Sequence, residues 1–223
     1  EGLVEVQLSS NIKYKKKLEN HPIEMLKDFI RLSNSGTTPG KWLVDDWKQY
    51  GNMRFLPNYI DSERYLSVPP FKKKDDKIVI GYGGSMSHVA SFMESGVNEA
   101  LARVIRKRNN VMVLICGDKR VWDNLPVPNH KKAHANYDRS NWWGKVLRQF
   151  DIGLAPLAKF YDHRRSAIKS TEYSLMGIPF IATRSRVYED FEENNVGVYV
   201  SNGDYDGVSF EKRVDEWETA LLD

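Results

Sequence analysis

A chain of 223 residues with 41% apolar and 12% aromatic side chains has enough material for one large packed core, which excludes a disordered or low-complexity polymer. Thirty-three Lys and Arg against thirty Asp and Glu leave a net charge of +3, too balanced for a protein that depends on phosphate-backbone contacts, so no nucleic-acid partner is expected. The single cysteine, Cys116, excludes an intrachain disulfide or multi-cysteine metal site, and no apolar run approaches the ~20 residues of a membrane span; a cytoplasmic protein without a membrane span is the expectation.

The chain opens on Glu1 rather than Met, as a processed or excised piece of a longer protein would. Residues 1 to 40 hold a helical pattern, HPIEMLKDFIRLSN, and a loop-like stretch, SNSGTTPG. WLVDDWKQYG reads as a short helix, MRFLPNYIDSERY as a short strand and a turn, and SVPPFKKKDDK as a surface linker. The clusters Lys15-Lys16-Lys17, Lys72-Lys73-Lys74 and Lys131-Lys132 read as solvated surface. Residues 1–76 therefore form a smaller N-terminal region with its linker, and the main domain spans 77–223.

From residue 77 strands and helices alternate. KIVIGYGG is a buried-strand run, followed by Val89, Met93, Val97, Ala100, Leu101 and Val104 at helical spacing. VMVLICGD holds a second strand in which Cys116 is a buried, inert thiol; HKKAHANY is a third strand, and NWWGKVLRQF a short amphipathic helix. DIGLAPL, PFIAT and VGVYV supply three more strands, with a helix over about Ser166–Met176 and a short one around RVYEDFEEN between them. A closing helix places Phe210, Val214, Trp217 and Leu221 on one face. This alternation predicts an α/β fold, a doubly wound parallel sheet.

In such sheets ligands bind at the carboxyl ends of the strands. Three loops fall there. GYGGSMSH resembles a dinucleotide fingerprint, but Met86 stands where the third glycine belongs, and the acid after the second strand, Asp118, lies beyond the ~20 residues expected past the glycines. An oxidoreductase is disfavoured, and what remains is a turn in which Gly83, Gly84 and Ser85 can bring backbone N–H groups near an anion. The second is HRRSAIKSTEYSLMGIP, a helix whose start carries Arg164 and Arg165, with Lys169 one turn in and Glu172 as its only acid. Cations at the positive end of a helix dipole are unfavourable, and a bound diphosphate would resolve the conflict. Arg165, Lys169, Glu172 and Met176 form a stripe facing the ligand, and Ala167, Ile168, Thr171 and Leu175 a face that packs on the sheet. The third, GDKRVWDN, reads as a solvated loop with Lys119 and Arg120 as weaker ligand candidates.

Other chemistries find little support. Asp204 and Asp206 have the D-x-D spacing of metal-dependent sugar transferases, but SNGDYDG reads as a turn. His21, His88, His130, His134 and His163 show no zinc spacing beyond one i,i+4 pair outside any helix, and no G-x-S-x-G elbow occurs.

Taken together, DIGLAPLAKFYDHRRSAIKSTEYSLMGIPFIAT, IGYGGSMSH, VLICGD and MRFLPNYIDSERY resemble the donor-binding half of the GT-B glycosyltransferases, in the retaining, family-4-like group. That group's pattern K-S-x-x-K-x-x-E-Y is met by Arg165, Ser166, Lys169, Glu172 and Tyr173, with Arg165 in place of the first Lys. The resemblance implies a Rossmann-like domain that binds a nucleotide-diphosphate sugar without metal or further cofactor. In it Glu172 would hold the ribose hydroxyls, Lys169 and Ser166 the diphosphate, and Gly83, Gly84 and Ser85 would lie beside the phosphates and sugar, with Tyr173 in the same motif. Lys169 and Arg165 would carry the electrostatic part of catalysis. Two departures stand out. The acid that many relatives place eight residues before the ribose-binding Glu is Arg164 here, with only Asp162 near, and about 76 residues precede the donor domain where the group has well over a hundred. Much of the acceptor site would then come from a missing segment or a partner chain, and a non-catalytic module that binds a nucleotide sugar or another protein is the alternative.

Overall fold

The computed structural model describes residues 23–73, 75–136, 142–158 and 160–223; Lys15-Lys16-Lys17, His21, Lys74 and the side chain of Asp204 lie outside what is described. Strands β3 (Ile78–Gly84), β4 (Val111–Gly117), β5 (Lys132–Ala135), β6 (Ile152–Ala155), β7 (Phe180–Thr183) and β8 (Val198–Val200) form one parallel sheet in the order β5-β4-β3-β6-β7-β8. The chain lays down one half outward from β3 and then returns to start the other half at β6. The crevice between the carboxyl ends of β3 and β6 is therefore the topological switch point, where open α/β sheets bind ligands.

Both faces of the sheet are covered, which is why its strands read as continuous apolar runs. Ile80, Tyr82, Val113, Ile115, Leu154 and Ile181 point to one side. There they meet α5 (Val97–Lys107) and α11 (Phe210–Leu222) through Leu101, Val104, Val214 and Trp217. Leu114, Cys116, Ala155 and Phe180 point to the other side and pack on Leu147 of α7 (Trp143–Leu147) and on Tyr173 of α8 (Ile168–Leu175). Cys116 is buried.

Among the described residues, the N-terminal region holds α1 (Ile23–Leu32), β1 (Gly36–Thr38), α2 (Lys41–Trp47), β2 (Met53–Phe55) and α3 (Ser62–Leu66). β1 lies in the SNSGTTPG stretch expected as loop; it pairs in parallel with β2, Gly36 opposite Met53 and Thr38 opposite Phe55, so tertiary pairing overrides its turn-rich composition. α3 replaces the expected turn, because the Asp61 side chain accepts the Arg64 N–H and caps it. The region is tied to the sheet domain by an Arg164–Asp46 ion pair at 2.7 Å, by Arg148 Nε donating to the Val68 carbonyl at 3.1 Å, and by Lys41–Asp190 at 2.9 Å.

Other departures from the sequence expectations also have local causes. The single helix expected after β3 is split into α4 (Val89–Glu94) and α5 at Gly96, whose φ of +92° interrupts the helix and lets its backbone sit against Val214. GDKRVWDN is not a loop but α6 (Lys119–Asn124), capped by Asp118. RVYEDFEEN becomes a 3₁₀ turn, Arg186–Tyr188, leading into α9 (Glu189–Glu193), and Asp206 ends a one-turn helix, α10 (Gly203–Asp206), where its carboxylate accepts the Asn202 N–H. In α11 Val214, Trp217 and Leu221 are buried as expected while Phe210 stays partly exposed.

Candidate active site

A cleft of ≈ 650 Å³ opens at the carboxyl ends of β3 and β4. One wall is the end of β3 and the turn after it, with Gly83, Gly84, Ser85 and His88; the opposite wall is the start of α8, with Ile168, Lys169 and Glu172. Cys116, Asp118, Asn136 and Trp143 line the remainder. Three of the sequence-predicted groups, the glycine-rich turn, Lys169 and Glu172, are thus brought to one space from segments about 85 residues apart.

The turn owes its shape to close backbone packing. Gly117, at φ +111°, brings the end of β4 against Gly84, where the Asp118 N–H donates to the Gly84 carbonyl at 2.9 Å; a Cβ on Gly117 would lie 2.3 Å from that oxygen. Asp118 lines the cleft while its carboxylate caps α6 and takes Arg120 at 2.9 and 2.8 Å, which holds its carboxyl below the usual carboxylate range. Lys119 pairs with Asp123 and lies over the Trp122 ring, so neither Lys119 nor Arg120 is directed at the cleft.

α8 starts at Ile168, two residues later than expected, with Ala167 in the cap position and no side-chain cap. Ser166 precedes the helix and is not among the residues lining the cleft. The helix is also rotated relative to the sequence reading. Tyr173, expected beside the donor, is fully buried: its ring fills the space left by Gly153, and its hydroxyl donates to the Leu154 carbonyl at 3.1 Å. Met176 is buried, whereas Ile168, assigned to the sheet-packing face, is exposed along the cleft. Glu172 remains on the cleft side but is largely buried.

The charges at the helix start are organised within the protein. Asp162, in the 3₁₀ turn Phe160–Arg164, accepts Arg165 Nε at 2.5 Å, Ser91 Oγ at 2.9 Å and the Ala158 N–H at 2.9 Å. Arg165 also donates to the Ser87 carbonyl at 2.5 Å and reaches His88 Nε2 at 3.3 Å. Asp162 is therefore one anion that the sequence left unassigned. Arg164, at the position of the missing acid, pairs instead with Asp46.

Lys169 keeps part of its side chain toward the cleft, but its ammonium is enclosed, 3.4 Å from His88 Nε2 and 6.0 Å from the centre of the Tyr82 ring. Burial first, then Arg165, lower its pKa to about 8, against the opposing pull of Glu172 and Asp162. Burial raises the Glu172 carboxyl above its ordinary value, opposed by hydrogen bonds from the Tyr65 hydroxyl, at 2.5 Å, and from Trp143, and by Lys169. Tyr65, Trp143, His88 and Asp162 are the residues of this site that the sequence reading left without a role. Tyr65 is the last residue of MRFLPNYIDSERY and Trp143 stands in the tandem NWW, neither carrying a spacing that names a partner. No cluster of three metal-ligating side chains occurs among the described residues. No helix among them is long and apolar enough to cross a membrane.

No protein-family model and no curated protein sequence matches this chain. Solved structures do. An S. aureus TarM mutant in complex with Fondaparinux, alpha-GlcNAc-glycerol and UDP superposes with a TM-score of 0.62 at 13% identity, over 90% of this chain and 39% of TarM. WaaG, a glycosyltransferase involved in lipopolysaccharide biosynthesis, gives 0.58 at 15% identity, over 84% and 53% of the two chains. The pneumococcal O-GlcNAc transferase GtfA in complex with UDP and GlcNAc gives 0.58 at 10%, over 84% and 37%. The chain thus spans between 37% and 53% of the length of these three structures. At such identities the likeness establishes the fold: a Rossmann-like α/β domain of the kind found in GT-B glycosyltransferases.

Proposed function

We propose that this chain carries the donor-binding part of a glycosyltransferase, taking a nucleotide-diphosphate sugar in the cleft between β3 and α8. The carrying observation is the convergence of Lys169, Glu172 and the Gly83-Gly84-Ser85 turn at the topological switch point. A diphosphate fits beside the uncapped start of α8 and Lys169, backed by Arg165, and vicinal ribose hydroxyls fit the acceptor-only carboxylate of Glu172. The cleft falls within the size range of small-ligand sites. Two of the structural neighbours, TarM and GtfA, are complexes with UDP, which makes a nucleoside diphosphate the first ligand to try.

In the transfer the bond between the anomeric carbon and the diphosphate oxygen breaks, and its electron pair stays on the leaving diphosphate. The acceptor oxygen bonds the anomeric carbon and passes its proton to the departing diphosphate oxygen. Lys169, Arg165 and backbone N–H groups of the turn meet the charge that builds on the leaving group, the role a metal ion plays in metal-dependent transferases. Catalysis thus rests on Lys169 and Arg165, with donor binding on Gly83, Gly84, Ser85, Lys169 and Glu172; the sugar is delivered with retention.

The second reading, a module that binds the nucleotide sugar without turnover, is favoured by one observation: the acid position before Glu172 is an arginine engaged with Asp46. A thermal-shift panel of UDP, GDP, ADP and their sugar conjugates, with and without chelator, tests the site, because a ligand of the native state raises its melting temperature. Assay of released nucleoside diphosphate separates the two readings. A chelator-insensitive shift with release supports the enzyme; a shift without release supports the module; no shift removes both.

A further inference from the structure

His88 is the residue that joins the glycine-rich turn to the cations opposite. It ends the 3₁₀ turn Met86–His88, where its carbonyl accepts the Tyr82 hydroxyl at 3.3 Å. Its Nε2 lies 3.3 Å from Arg165 Nη1 and 3.4 Å from Lys169 Nζ, and Nδ1 lies 3.5 Å from the same ammonium. Guanidinium and ammonium groups donate only, so the ring can satisfy them only through a lone pair. An imidazolium has none.

We propose that His88 is a positioning residue for anion binding: an uncharged ring whose Nε2 accepts from the Arg165 guanidinium and against which the Lys169 ammonium lies, so that the two cations stand side by side at the cleft wall. The proposal rests on the donor-site reading and deepens it. The single lone pair of Nε2 is taken by Arg165, so the ring's proton sits on Nδ1, and the Lys169 ammonium, nearly equidistant from the two nitrogens, makes no hydrogen bond to that lone pair. Two like charges that repel are thereby kept in register without a carboxylate between them, which would compete with an incoming diphosphate. Asp162 pairs with Arg165 through Nε, and Glu172 lies one turn beyond Lys169; Arg165 and Lys169 are the charges against the ring. Burial, and then these two cations, depress the imidazole's pKa from its ordinary value to about 2, in keeping with a ring that stays neutral.

The test uses the full chain and two kinds of probe, inorganic pyrophosphate and the nucleoside diphosphates UDP, GDP and ADP, titrated calorimetrically at pH 7. His88→Ala is expected to weaken both by about tenfold, the loss of one hydrogen bond to a charged group, while His88→Gln, which retains an acceptor oxygen, recovers to within about threefold of wild type. In the unliganded wild type, the ¹⁵N shifts of the His88 ring should stay those of a neutral Nδ1–H imidazole from pH 8 to pH 5. A histidine titration step between pH 8 and pH 5, or His88→Ala binding pyrophosphate as well as wild type does, overturns the proposal. Wild-type binding of pyrophosphate without binding of UDP, GDP or ADP overturns the nucleotide reading and leaves His88 as a positioning residue for a simpler anion. Binding of none of these probes overturns both.

Discussion

The hydroxyl of Tyr65, in the segment that precedes the six-stranded sheet, donates to Oε1 of Glu172 at 2.5 Å. The phenol thus occupies an oxygen of the carboxylate that we propose for the donor's ribose, and Tyr65 is held there by edge-on packing against Trp142, with ring centres 5.1 Å apart. A vicinal diol that engages both carboxylate oxygens competes with the phenol for Oε1. Tyr65→Phe should therefore tighten nucleoside diphosphate binding by about 1 kcal/mol, one competing hydrogen bond, in a calorimetric titration. Weaker binding in Tyr65→Phe would instead make Tyr65 part of the bound state.

Lys169 sets a pH dependence. Its pKa in the free protein is lowered to about 8, and a bound diphosphate favours the charged ammonium and raises that value. Affinity should thus be level below about pH 7 and fall by up to tenfold per unit above about pH 8, where binding must take up one proton. Lys169→Arg, which stays charged throughout, should flatten the profile measured between pH 7 and 9.5. A wild-type affinity constant across that range would mean that Lys169 does not face the phosphates.

Asp162 and Arg165 are a largely enclosed pair, their side chains 5% and 13% exposed. Removing the carboxylate leaves a guanidinium without its anion and strips partners from Ser91 and the Ala158 N–H. Asp162→Ala should lower unfolding free energy by about 3 kcal/mol, read from the urea midpoint. A loss under about 1 kcal/mol would show that the bound anion, not Asp162, is the main counter-charge of Arg165.

Much of the fold was legible because strands buried on both faces announce themselves as apolar runs: KIVIGYGG, VMVLICGD, DIGLAPL and PFIAT all became strands of one parallel sheet. Single-segment reading failed where a distant partner decides. β1 exists because β2 lies beside it, and the helix after β3 breaks where Gly96 meets Val214. The face of α8 was misassigned because the aromatic ring that fills the gap over Gly153 comes from Tyr173, while the apolar Ile168 borders the cleft. Within the site, Lys169, Glu172 and the glycines stood out by charge and spacing. Asp162 was noted only as a nearby acid, since its pairing with Arg165 depends on a compact turn. Tyr65 and His88 reach α8 and its start from 107 and up to 81 residues away, separations at which sequence periodicity carries no information.

The most direct measurement is a calorimetric titration of UDP, GDP and ADP into the wild-type chain and into Lys169→Ala and Glu172→Ala. The account predicts that at least one of the three binds the wild type and that each substitution weakens it by about 1 to 3 kcal/mol, the range for losing hydrogen bonds to charged groups. Binding of none, or affinities unchanged in both variants, would contradict the placement of the donor in the cleft between β3 and α8.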